Sequence, residues 1–441
     1  MPYTEVGTTE VKLVLIAGHA KRKPNMQFTS LAHLLDVEFL EHCFHSLYRN
    51  KAVGVDDVSW YDYRENLEVN LTDLVERLRS KKFKPIPARR IYIPKDNGEQ
   101  RPLGISATEN KIVEKGITRI LNSIYEQDFS DKSYGFRPKL SCHHALKELN
   151  DQIMENPINH IVEADIKGFF DNVSHEHLIN FLKIRIKDSS MIHLITKFLK
   201  AGYIDDSLLI TSDDGTPQGS ILSPILANVF LHHVLDKWFE KVVKVHVRGY
   251  CEIIRYADDF VCVVRYKSDA EIIEKAFHNR FNKYGLELHP EKSRRISFGR
   301  FEVINAENEK RQANTFDFLG FTHFCDKTRK GYFKLGRKTS RKKFNRKCKI
   351  FTVWLKKNRN KKKPKEWWNT VRAKLRGHYQ YYGISGNYKC IEAYYKHVVK
   401  TLHKWLNRRS QKKSMSWANF NNYLKCYPIP RPGIKHNFYT W

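Results

Sequence analysis

The sequence predicts an α+β protein in which short antiparallel strand pairs and helices fill the first three quarters and a basic, helical region closes the chain. Three observations carry this. Apolar β-rich runs occur in pairs around turn residues, at 84–105 and 251–266. Between them lie stretches with apolar residues at helical spacing. After Gly320 the character changes to helical periodicity with one apolar face and one densely basic face.

Taken in order, KPIPARRIYIPKDNGEQRPLGI (84–105) reads as two strands around the turn Asp96-Asn97-Gly98. A helix follows from about Glu109 to Tyr125, with Ile112, Val113, Ile120, Leu121 and Ile124 inward. Residues 160–166 form a buried strand ending in a carboxylate. Residues 225–239 form an amphipathic helix that Ser223 can cap, with Pro224 in its first turn. The run 251–266 is a hairpin about Ala257-Asp258-Asp259, and a helix covers 269–284. Helices over about 366–382 and 389–408 bury Trp368, Val371, Leu375 and Tyr379, then Ile391, Tyr394, Val398, Leu402 and Trp405. There is no internal repeat.

At 441 residues the chain has room for two to four domains and a sizeable core. With 41% hydrophobic and 29% charged residues it has the composition of a folding chain, which excludes a disordered tail. No apolar run approaches the roughly 20 residues of a bilayer span. Lys21, Arg22 and Lys23 follow the early apolar stretch instead of preceding it, unlike a secretory signal. The eight cysteines contain no C-x-x-C pair, so reduced thiols and a cytoplasmic protein without membrane contact are expected, with neither a zinc ribbon nor a disulfide framework.

Charge is distributed unevenly. Residues 327–441 hold 33 Lys and Arg against only Glu366 and Glu392, together with six of the eight tryptophans, whereas the preceding 326 residues carry 45 basic and 46 acidic side chains. A folded basic domain with interleaved aromatics points to a polyanion partner, most simply nucleic acid.

Two acidic positions stand out because each ends or tops a strand: Asp165, and the pair Asp258-Asp259 at the hairpin tip. Carboxylates on adjacent strands can supply the oxygens that two divalent ions about 3.5–4 Å apart require in phosphoryl transfer. Asp-Asp alone is weak evidence, since the chain has four such pairs, and Y-x-D-D occurs twice. The copy at Tyr203–Asp206 follows a helical run and Gly202 and reads as a turn; the copy at Tyr256–Asp259 sits between apolar strands, where unpaired buried carboxylates are costly. His175 and His177 have metal-like spacing but no Cys or Asp partner arranged around them, and a turn into a helix at about 177–184 accounts for them.

At this point a resemblance emerges. VEADIKGFFDNVSHEHL (162–178), TPQGSILSPILANVFLHHVLDKWF (216–239), RYADDFV (255–261) and HPEKSR (289–294) follow one another in polymerase-palm order. With IPKDNGEQRPLGI (93–105), SYGFRP (133–138) and FDFLGF (316–321), they resemble the reverse transcriptases encoded in bacterial group II introns, and LRGHYQYYG (375–383) and KWLNRRSQ (404–411) resemble that family's thumb, or maturase, domain. The resemblance covers roughly residues 25–435 and implies a right-hand polymerase: an N-terminal extension and start of fingers over 1–92, fingers and palm with an antiparallel sheet over 93–324, and a basic helical thumb over 325–441.

Carried over by position, it implies Asp165, Asp258 and Asp259 as ligands of two Mg2+ ions, aided by the backbone of Ile166. Lys95 and Arg101 match the grip on the incoming triphosphate, and Gln218 and Gly219 match a loop beside the nascent base pair, where Ser220 stands in place of a more usual second glycine. Phe170 matches the gate against the ribose 2′-OH, and Lys292 a group that protonates or stabilises the departing pyrophosphate. Arg137, Arg372, Lys374, Arg376, Arg408 and Arg409 fall in motifs expected to contact nucleic acid. The implied partners are group II intron RNA, an RNA template with a DNA primer, dNTPs and target DNA. Since the tail RPGIKHNFYTW brings no paired cysteines, an H-N-H endonuclease is not expected. Two rival expectations remain: a non-catalytic RNA-binding splicing factor on the same fold, and an intron-independent enzyme of repair or defence.

Overall fold

The computed structural model describes residues 8–94, 100–206, 208–211, 213–291, 293–361, 364–408 and 415–438. The chain divides into two compact units. The first comprises 1–145, 164–260 and 271–294, and the second 146–163, 261–270 and 295–441.

The first unit opens with helices α1 (Thr8–Arg22), α2 (Val37–His45), α3 (Trp60–Glu65) and α4 (Leu67–Arg79), then strands β1 (Ala88–Pro94) and β2 (Gln100–Ile105) and the long helix α5 (Thr108–Tyr125). Ile112, Val113, Ile117, Ile120, Leu121 and Ile124 of α5 are all fully buried, so the helix is the spine against which α1 and α2 pack. Gly116 permits that approach: a Cβ there would sit 2.7 Å from a methyl of Leu35. Helix α6 (Cys142–Glu155) and strand β3 (His160–Asp165) belong mostly to the second unit, and the first continues with α7 (His175–Arg185), α8 (Ser189–Lys200), β4 (Tyr203–Asp205) and β5 (Leu208–Ile210). Helix α9 (Ser223–Leu231) continues through two π-helical turns, His232–Asp236 and Phe239–Val243, into α10 (Lys244–His246); the hairpin strands β6 (Cys251–Tyr256) and β7 (Asp259–Val264) and helix α11 (Lys267–Asn282) follow.

β1 and β2 pair antiparallel as expected, with Ile93 opposite Arg101; the turn Asp96-Asn97-Gly98 lies outside the described residues. They belong to a four-stranded sheet in the order β2-β1-β4-β5, in which β1 and β4 run parallel. This corrects the reading of Tyr203–Asp206 as a turn. Tyr203 to Asp205 form a strand, and the Asp205 carboxylate accepts a hydrogen bond from the Tyr92 hydroxyl. A second correction concerns Ser223. It is the first residue of α9 and not its cap; its hydroxyl donates to the carbonyl of Pro217, 2.8 Å away. A second four-stranded sheet runs β6-β7-β3-β8, where β8 is Arg294–Ser297.

The second unit carries α12 (Glu302–Asn308), a three-stranded antiparallel sheet of β9 (Thr315–Phe318), β10 (Phe321–Lys327) and β11 (Phe333–Thr339), and helices α13 (Arg341–Asn358), α14 (Pro364–Tyr382), α15 (Tyr388–Asn407) and α16 (Trp417–Cys426). Every apolar residue expected inside the helices about 366–382 and 389–408 is buried, and α13 and α14 both pack on α15. Among the described residues no helix is long and apolar enough to cross a membrane, and none of the eight cysteines is in a disulfide.

One carboxylate fastens the N-terminal helices to α8. Asp188 caps α8 through the N–H groups of Ser190 and Met191, at 2.9 and 3.1 Å, while its other oxygen accepts from Leu31 and Ala32 at 2.6 and 2.8 Å. Burial raises its pKa, but the four N–H donors outweigh that and hold the group below the ordinary carboxylate value. A carboxyl depressed by folding stabilises the protein above its unfolded pKa of about 4, and that contribution is lost as pH falls through the lower folded value. Asp188→Ala is therefore expected to cost about 2–3 kcal/mol at pH 7. Thermal melting at pH 7 and pH 3 checks this, with the gap between wild type and variant narrowing at the acid end.

Candidate active site

Asp165 closes β3 and is held by the chain that follows α11. The His289 N–H donates to the Asp165 carbonyl at 2.7 Å, the Lys167 N–H donates to the Glu287 carbonyl at 2.9 Å, and Ile166 and Leu288 form an antiparallel bridge between them. Residues 287–289 thus serve as a rail for the strand end. Lys292 itself lies outside the described residues.

The hairpin tip is held from beneath by a buried cation. Arg255, the last fully buried residue of β6, donates from Nε and Nη2 to the two carboxylate oxygens of Asp236, at 2.8 and 2.6 Å. Its Nη1 reaches the Asn228 side-chain oxygen at 3.1 Å and the Ala257 carbonyl at 3.0 Å. Ala257 has φ +59°, a left-handed conformation that costs a residue with a Cβ about 1–2 kcal/mol. The clamp on its carbonyl keeps it there. The SYGFRP segment completes the seat: the Tyr134 N–H donates to the Arg255 carbonyl at 2.8 Å, the Asn228 amide donates to the Gly135 carbonyl at 2.8 Å, and a Cβ on Gly135 would lie 2.1 Å from the Ala257 nitrogen. Only glycine fits at 135.

This seat presents Asp258 beside Asp165. Burial raises the Asp258 pKa, and the charge of Asp165 raises it further; a hydrogen bond from its own backbone and the charges of Arg101 and Arg255 pull the other way. Asp259 begins β7, the neighbour of β3 in the sheet. Among the described residues no three His, Cys, Asp or Glu side chains gather into a ready-made metal cage. The carboxylates of Asp165 and Asp258 nonetheless suit a hard divalent cation. Both donors are oxygens, and a positive ion would relieve the desolvation and like-charge repulsion acting on Asp258.

The loop 213–222 borders the same region. Its backbone pairs with the segment after β3 through Thr216 N–H to the Phe170 carbonyl, 2.7 Å, and Gly215 N–H to the Val173 carbonyl, 2.8 Å. The Gln218 amide donates to the Asp171 carboxylate at 3.3 Å, and its carbonyl accepts the Gly104 N–H of β2 at 2.6 Å. Gly219 has φ +111°, and a Cβ there would meet the Gly104 carbonyl at 2.4 Å, so the close approach expected of it is to β2. Buried Glu114 of α5 anchors the far end, accepting from the Ile221 N–H at 2.8 Å and the Ser106 hydroxyl at 3.1 Å. His175 hydrogen-bonds the Gly215 carbonyl and His177 packs edge-on against Tyr284, so both serve the first turn of α7.

The charges of Asp165 and Arg101 act on Asp258, and the loop of Gln218 and Gly219 pairs with the segment of Phe170 and with β2, the strand of Arg101. Arg137 is a correction. Expected on a nucleic-acid surface, its side chain is only 8% exposed, paired with Glu126 at 3.1 Å and donating to the carbonyls of Ser130 and Ser133 at 2.7 Å, so it braces the SYGFRP segment. Arg372, Lys374, Arg376 and Arg408 lie in the second unit. Arg376 and Arg408 are exposed, Lys374 stands over the Trp354 ring, and Arg372 donates to the Pro428 carbonyl. Lys95 and Arg409 lie outside the described residues. Sequence reasoning missed Arg255, Asp236, Asn228 and Gly135; the available signal was an arginine inside an apolar β-run.

Carboxylates at the ends of neighbouring sheet strands, with a glycine loop and an arginine beside them, are the arrangement of nucleic-acid polymerase palms. The chain belongs to the reverse transcriptase (RNA-dependent DNA polymerase) family, whose profile matches residues 93–323, more than half of its length. Over 213 residues it is 40% identical to the group II intron-encoded protein LtrA of Lactococcus lactis subsp. cremoris, covering 48% of this chain and 35% of that protein. It is 35% identical over 243 residues to the protein YkfC of Escherichia coli K12, covering 48% and 63%, and 40% identical over 182 residues to an uncharacterized 91 kDa protein in the cob intron of Schizosaccharomyces pombe, covering 41% and 22%. The chain thus spans between about a fifth and under two thirds of these curated relatives.

Removing one partner of the buried pair leaves the other charge uncompensated. Arg255→Met is expected to destabilise the fold by about 3–5 kcal/mol, and Arg255→Met combined with Asp236→Leu to recover much of it. Denaturant midpoints of the single and double variants measure the coupling.

Proposed function

We propose that this chain is an RNA-directed DNA polymerase of the group II intron type, which binds structured intron RNA, assists its splicing and copies it into cDNA. The observation that carries this is the charge of Asp165, at the end of β3, acting on the buried carboxyl of Asp258, just before β7. Asp165, Asp258 and Asp259, with the Ile166 carbonyl, would hold two Mg2+ ions, which when bound make the primer 3′-OH a better nucleophile and neutralise charge on the triphosphate. The protein's own part is positioning and electrostatics. Arg101, with Lys95, meets the triphosphate; Gln218 and Gly219 line the nascent base pair; Phe170 excludes the 2′-OH; Lys292 serves the departing pyrophosphate. The division into an extension with the start of fingers (1–92), fingers and palm (93–324) and thumb (325–441) goes with this reading. Intron RNA, template with primer, dNTPs and target DNA are its partners.

Asp258→Ala is expected to abolish template-dependent dNTP incorporation on poly(rA)/oligo(dT) while leaving RNA affinity within a few-fold. Polymerisation that persists in the purified variant refutes the site. Tight RNA binding by the wild type with no cDNA formed would instead favour a non-catalytic splicing factor.

The second unit provides a separate check. Its exposed basic residues include Arg341, Lys342, Arg346, Lys347 and Lys349 on α13 and Lys396, Lys400 and Lys404 on α15. If six to ten phosphates are neutralised, affinity for RNA falls about 10³–10⁵-fold between 50 and 200 mM salt. Filter binding across that range measures the slope, and a flat response counts against the phosphate clamp.

A further inference from the structure

We propose that Phe136 is a specificity-determining residue of the nucleotide site: its ring braces Phe170, making that side chain a rigid barrier to a 2′-hydroxyl sugar. The inference rests on the polymerase reading above and adds to it a residue outside the expected site.

Phe136 is in an unusual place for its kind. Its backbone sits at φ +59°, a left-handed region that bulky residues rarely adopt, and its side chain is 51% exposed. Neither feature serves the core. What the ring does is stand edge-on to Phe170, with centroids 6.3 Å apart and planes at 73°. Phe170 also meets Phe169, edge-on at 5.3 Å, and Phe169 is buried. Phe170 thus has one buried and one exposed ring against it, while its carbonyl is fixed by the Thr216 N–H.

The support for Phe136 comes from the hairpin seat. Gly135 is wedged against Ala257, and its carbonyl is held by the Asn228 amide. The same contacts that position Asp258 therefore fix the direction in which residue 136 leaves the chain. A steric barrier discriminates only if it cannot swing to another rotamer, and Phe170 is only half-buried, so one flank depends on Phe136.

The test compares kcat/KM for dTTP and UTP on a poly(rA)/oligo(dT) primer-template, using the full chain as wild type, Phe136→Ala, Phe136→Tyr and Phe170→Ala. Wild type is expected to favour dTTP strongly, and Phe170→Ala to lose that preference. Phe136→Ala should lower the dTTP/UTP ratio at least ten-fold, through faster UTP incorporation, with dTTP kept within about three-fold; Phe136→Tyr, which keeps the edge-on ring, should stay near wild type. If Phe170→Ala loses discrimination and Phe136→Ala keeps it, the inference fails while the polymerase reading stands. An equal loss with both nucleotides in Phe136→Ala assigns the residue to folding and also overturns it, as does an unchanged ratio in Phe170→Ala. Absence of any DNA synthesis by the wild type brings down the reading, and the inference with it.

Discussion

The buried pair between Arg255 and Asp236 is the constraint on which the hairpin tip bearing Asp258 depends. An ion pair withdrawn from water is a weak source of stability, because desolvation of both charges offsets their attraction. Its value here is directional. Nε, Nη1 and Nη2 of the guanidinium each have an oxygen partner, and one of those partners is the carbonyl of Ala257, the residue forced into a left-handed conformation immediately before Asp258. A planar fork satisfied on all sides cannot drift without leaving a buried polar group unpaired. A lysine in that place would offer a point charge without the fork.

The helix opposite has to supply two of those partners from positions eight residues apart, Asn228 and Asp236. In a regular α-helix such positions are rotated by about 80° from one another, too far to serve one guanidinium comfortably. The π turn at His232–Asp236 widens the helix locally and brings the later residue back toward the earlier one's face. The same turn leaves His232 buried, where desolvation pushes its pKa down to about 2 and keeps it neutral beside Arg255. A neutral imidazole adds no competing positive charge to the pair.

This explains what the sequence made legible and what it did not. The hairpin, the helix around Ile120 and the aromatic helices of the basic region all follow from local periodicity, and each occurs within a few residues of its expected place. Asp165 and Asp258 stand out in the sequence because carboxylates at the ends of apolar strands conflict with burial, and in the structure the charge of one acts on the other. Asp236 was not readable, since a 3.6-residue period assigns no meaning to a π turn. Nor was the strand at Tyr203–Asp205: it is made by parallel pairing with residues more than a hundred positions earlier, which local signals such as Gly202 cannot report. Arg137 misled for a related reason, because a basic residue in a recognisable motif looks the same whether it faces a phosphate or braces its own loop.

Segregation of charge along the chain follows from the same chemistry. The carboxylates that would receive a divalent cation have to stay available to it, and mobile lysines nearby would compete for them. In the first 326 residues the charges nearly cancel, and the two arginines that act on Asp258 differ in kind. Arg255 is neutralised by Asp236 and functions as a brace, whereas Arg101 is exposed. The 33 basic residues of the last 115 repel one another, and aromatic burial does most to hold that stretch together. Arg359 at 4.2 Å, Arg408 at 5.4 Å and Lys404 at 5.7 Å all stand over the ring of Trp405, so one buried indole accommodates three cations. A cation held over a ring needs no carboxylate partner, which is how a stretch of 115 residues with two acids can fold.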